Sequence, residues 1–91
     1  MIVDEVFYTC SNPELAGAAL AAIGGEFSSR FATHASRNNN SPGAHAALMV
    51  RAFARAATPQ DRADVWWASR GAIQPILAGF KHILSQATSR S

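Results

Sequence analysis

Trp66 and Trp67 stand side by side, with Ala63 three residues before the pair and Arg70 three residues after it. On a helix, adjacent side chains point about 100° apart, so the two indoles flank a stripe that runs through Ala63 and Arg70. Arg62 falls toward the Trp66 side of that stripe. Two indoles and two guanidiniums on one helical face have the composition of a protein-binding hot spot. Arg62, Trp66, Trp67 and Arg70 are therefore the candidate partner-binding residues. The competing reading places both rings in the core, with Arg70 laying its alkyl stem along the edge. Leu48, beside Arg51 and Arg55 and off its own helix's apolar stripe, marks a secondary candidate surface.

The other reactive residue types form no recognisable constellation. A zinc site needs three or four convergent ligands, and His34, His45 and His82 share no ligand-like spacing. We expect them to be surface or half-buried histidines. The carboxylates Asp4, Glu5, Glu14, Glu26, Asp61 and Asp64 stand mostly at helix starts, where capping and the helix dipole explain them. Cys10 is the only cysteine, which excludes an internal disulfide, and without a base beside it reads as a small apolar residue. Gly24-Gly25 lacks the lysine of a phosphate-binding loop. The expectation is a protein that is not an enzyme and carries neither metal nor cofactor. A nucleic-acid reading rests on Arg51, Arg55, Arg62 and Arg70, within two helices over 50–70 that have the size of a helix-turn-helix. Its recognition helix would carry Asp61, Asp64, Trp66 and Trp67, which offer little to phosphates or base edges. A DNA-binding regulator is thus the alternative.

These residues need a scaffold, and the sequence marks one clearly. Ninety-one residues, 48% hydrophobic and 15% charged with a formal net charge of +2, make a single globular domain over 1–91. Ser41-Pro42 and Thr58-Pro59 each place a capping residue before a proline at the first helical position. Ser11-Asn12-Pro13-Glu14 reads as a capping box, with Cys10 and Leu15 at the staple positions. Ala16, Leu20, Ile23, Phe27, Phe31 and His34 keep one stripe across Gly24-Gly25, which predicts a kinked or briefly interrupted helix over 13–35. A loop follows at Ser36–Ser41. Ala46, Met49, Val50, Phe53 and Ala57 predict a helix over 42–57. Helices over about 59–70 and 73–87 follow, or one long helix bent near Gly71–Pro75. Residues 2–8 suit a short strand or a single helical turn. The fold class is all-α, a small bundle of three to five helices with a short N-terminal extended or helical segment. Phe53, Leu77, Phe80 and Leu84 are its expected core.

The stripes over 13–35 and 59–87 are long for one chain of this size to cover, so we expect a homodimer packed through the C-terminal helix. The longest apolar run, Leu15 to Ile23, is far short of the roughly 20 residues that span a bilayer. The start is acidic where a secretory signal opens with positive charge, and the expected location is the cytoplasm. Heavy use of alanine, and of arginine over lysine, fits a GC-rich bacterial or phage genome. The reading is a small helical regulator — an inhibitor, antiactivator or accessory subunit — that binds another protein.

Overall fold

Proline at the first helical position sets the start of four of the helices. The computed structural model describes residues 2–89 and, among them, holds α1 (Ile2–Cys10), α2 (Pro13–Ile23), α3 (Gly25–Arg37), α4 (Pro42–Ala56), α5 (Pro59–Ser69) and α6 (Pro75–Ser89). The all-α expectation holds, with six helices where three to five were expected. α1 is the first addition. Val3, Val6, Phe7 and Cys10 fall at helical spacing and are all buried, so residues 2–10 form a full helix instead of a strand or one turn.

The stretch over 13–35 divides at Gly24. Gly24 and Gly25 both take positive φ (61° and 63°), a backbone conformation that glycine adopts at little cost because it has no Cβ. α2 ends there, and α3 sets off in a new direction and runs to Arg37. The capping box expected at Ser11 does not form. Because α1 continues to Cys10, the Ser11 hydroxyl turns back to donate to the Phe7 carbonyl, and Asn12 caps α2 by accepting from the backbone N–H groups of Glu14 and Leu15. With the cap at Asn12, the staple positions move off Cys10 and Leu15, and Leu15 is half exposed. A reciprocal box does close at Thr58 and Asp61, each side chain accepting from the other's backbone N–H. Pro75 opens α6 instead of kinking a longer helix, because α5 has already stopped ahead of Gly71. Ile73, at the start of the helix expected over 73–87, lies in the connection and is fully exposed.

One hydrophobic cluster takes members from all six helices, including Val6, Leu20, Phe31, Val50, Val65 and Phe80. Phe80, Ile83 and Leu84 of α6 are completely buried, and Phe53 is buried against Phe7 with ring centroids 6.0 Å apart. Leu77 is only partly buried, one turn short of the core. The C-terminal stripe is thus covered within the chain, chiefly by α5, α1 and α4.

α2 and α4 make the most extensive helix pair, and their approach depends on glycine. A Cβ on Gly43 would sit 2.5 Å from the Pro13 carbonyl oxygen and 3.2 Å from the Gly17 Cα, both backbone atoms that cannot swing aside. A Cβ on Gly17 would meet nothing closer than 3.6 Å, an ordinary contact. Gly43→Ala is expected to destabilise the protein by about 1–3 kcal/mol through overpacking. Gly17→Ala should be neutral or stabilising by up to about 1 kcal/mol, the helix-propensity gain. Urea denaturation of the two variants side by side checks the contrast; equal midpoints would mean that α2 and α4 are not this close.

Candidate partner-binding face

α5 presents its two sides very differently. Val65 and Ser69 are buried against the core, a side that the stripe through Ala63 and Arg70 does not include. Trp66 packs on the core as a partly buried ring, whereas Trp67 is 61% exposed. The indoles meet edge to face, centroids 5.0 Å apart and planes inclined by 80°, the arrangement that aromatic quadrupoles favour. Arg70 closes the group. Its guanidinium carbon lies 5.2 Å from the Trp66 ring centroid and 5.0 Å from that of Trp67. Such contacts contribute about 0.5–1 kcal/mol each at exposed sites, and together they bias the three side chains toward this one arrangement. The fully exposed Ile73 follows three residues later in the chain.

Arg62 is engaged elsewhere. Its Nη2 donates to the Asp4 Oδ1 at 2.6 Å, and its guanidinium lies 5.2 Å from the Phe7 ring, which ties α5 to α1. The arginine beside it holds the Asp4 carboxyl below the usual carboxylate range. The structure therefore brings Trp66, Trp67 and Arg70 together and turns Arg62 toward α1. At the secondary surface, Leu48, Arg51 and Arg55 are all exposed on α4.

Two histidines that share no spacing motif are adjacent in space. The α3–α4 turn brings the rings of His34 and His45 to 5.0 Å, with Phe31 against both. Asn40 donates its amide to His45 Nδ1 at 3.1 Å, which leaves the ring proton on Nε2, a buried atom with no partner. Burial and the neighbouring His34 push the His45 pKa below its ordinary value. Because the unfolded chain binds this proton more readily, the contribution is intact above about pH 6.5 and is lost as pH falls through the depressed folded value. Thermal melting from pH 7 down to pH 5 should show a falling midpoint, and His45→Gln should flatten that fall. An unchanged slope would remove His45 as its source.

Cys10 is fully buried, and burial pushes its thiol up to about 11. The native protein should resist a thiol-specific reagent at pH 8 and react promptly once unfolded in urea; rapid native labelling would place Cys10 outside the core. Among the described residues, no group of three or more His, Cys, Asp or Glu side chains could hold a metal ion. None of the described helices is long and apolar enough to cross a membrane. Compared with known protein families, curated proteins and solved structures, the chain matches none.

Proposed function

We propose that this protein is a binding regulator, an inhibitor, antiactivator or accessory subunit that docks another protein on the Trp66–Trp67–Arg70 face of α5 and catalyses no reaction itself. The observation that carries the reading is the pre-assembled trio, one largely exposed indole held edge to face on its neighbour with a guanidinium across both. A rigid aromatic ring loses little conformational entropy on docking, so its buried area goes further toward affinity. Arg70 spends the face of its guanidinium on the rings and keeps its N–H edge for a carboxylate or carbonyl of the partner. The fitting partner surface is an apolar socket with an acceptor at its rim. Cytoplasmic action remains part of this reading.

A second copy of the chain is the other occupant to test. The homodimer expected through α6 loses its original argument, since Phe80, Ile83 and Leu84 are already covered. Self-association through Trp67 would appear as a dimer in light scattering and disappear in Trp67→Ala. The helix-turn-helix alternative is less favoured because Arg62 is committed to Asp4 and Val65 and Ser69 face inward, which leaves few groups on α5 for DNA. Salt separates the two. Phosphate contacts would make affinity fall steeply between roughly 50 and 200 mM salt, whereas the protein interface should respond weakly. Duplex DNA binding with a steep salt slope, lost in Arg51→Ala and Arg55→Ala, would overturn the protein-binding reading.

A further inference from the structure

α3 hangs from the Gly24–Gly25 turn and packs on α2 and α4, while its backbone stays clear of α6. The gap is a cleft of about 600 Å³, within the range of roughly 300–1,000 Å³ that small-molecule sites occupy. Phe27 and Phe31 line its apolar part, Arg30 and Arg37 project from the same helix, and Ser85 and Thr88 face them from α6. Among the described residues, the lining contains no carboxylate.

The charge here is concentrated and largely uncommitted. Arg30 reaches only Glu26, at 3.8 Å between two exposed side chains, a pair of little energetic weight. Arg37 makes no ion pair among the described residues. The Lys81 ammonium lies 5.3 Å from the Phe27 ring centroid, which adds a third cation beside the cleft. Like charges gathered along a low-dielectric wall raise the local concentration of anions. The aromatic part narrows the class further. Phe31 is almost wholly buried and Lys81 covers one face of the partly buried Phe27, which leaves little ring face for a base to stack on. An apolar chain or ring lying along the edge of Phe27 is the better fit.

We infer that the α3–α6 cleft binds a small amphiphilic anion, a carboxylate carried on an apolar body, with Arg30 and Arg37 holding the carboxylate and Phe27, backed by the buried Phe31, the apolar part. This site shares no residue with the α5 face and stands or falls independently of it. Octanoate is the probe, titrated into the full chain and followed by NMR or calorimetry, with acetate and octanol as controls and Arg30→Gln/Arg37→Gln as the variant. Both arginines are exposed, so circular dichroism should show the variant folded. Octanoate should bind saturably, acetate and octanol at least about tenfold more weakly, and the variant should lose about tenfold or more in octanoate affinity. The inference is overturned if octanoate shows no saturable binding up to about 10 mM, if either control matches it, or if the variant binds it as the wild type does.

Discussion

Phe80→Ala should lower stability by about 3–5 kcal/mol, the usual cost of removing a buried aromatic ring. Phe80 is completely buried, and at its chain neighbour Gly79 an added Cβ would lie 2.6 Å from the Ser69 hydroxyl and 3.1 Å from Val6. α6 therefore packs tightly here against α1 and α5, and the void left by the ring has little room to collapse. A domain of this size has about 5–15 kcal/mol of stability in total, so the variant should melt far below the wild type and leave a sizeable unfolded fraction near body temperature. Leu77→Ala is the internal comparison, because Leu77 is only partly buried and should cost distinctly less. If Phe80→Ala melts with the wild type, the C-terminal stripe faces solvent and the packing of α6 described above is wrong.

Trp67→Ala should do the reverse. With 61% of its surface exposed, the ring contributes little to the core, and its loss should change stability by no more than about 1 kcal/mol, chiefly through the Arg70 contact. Partner affinity should fall by about 2–4 kcal/mol, roughly 30- to 1,000-fold. Trp66→Ala should lose stability as well, because that ring packs on the core and supports its neighbour from behind. The two substitutions thus separate a binding ring from a supporting one.

Much of this scaffold is legible in the sequence because proline and short polar side chains act locally. Ser41-Pro42 and Thr58-Pro59 start α4 and α5 where they were expected, since a cap and a proline fix the entry geometry without tertiary help. α1 was ambiguous for a physical reason. Ile2, Val3 and Val6 are β-branched, and only packing against the other helices decides between strand and helix. Pro75 was harder still, because the apolar stripe of α6 stays in phase with Trp66 and disguises a helix start as a kink. The site was legible only in part. The meeting of Trp66, Trp67 and Arg70 follows from helical spacing, but which indole faces solvent depends on where α6 and α1 lie. Arg62 was grouped with them because its partner, Asp4, is 58 residues away in the chain. The His34–His45 contact and the cationic cleft of α3 are not legible in the sequence because they depend on the α3–α4 turn and on the gap between α3 and α6.

The most direct test of the α5 face uses the folded protein as bait in the cells that make it, with wild type, Trp67→Ala and Leu48→Ala compared side by side. The protein captured by the wild type is then purified and titrated against each variant. All three baits should show the same helicity and closely similar melting. Leu48→Ala should bind the purified partner as the wild type does, and Trp67→Ala should bind it at least about thirtyfold more weakly. A partner that binds Trp67→Ala with undiminished affinity, or that is lost only with Leu48→Ala, would contradict the account and move the interface to α4.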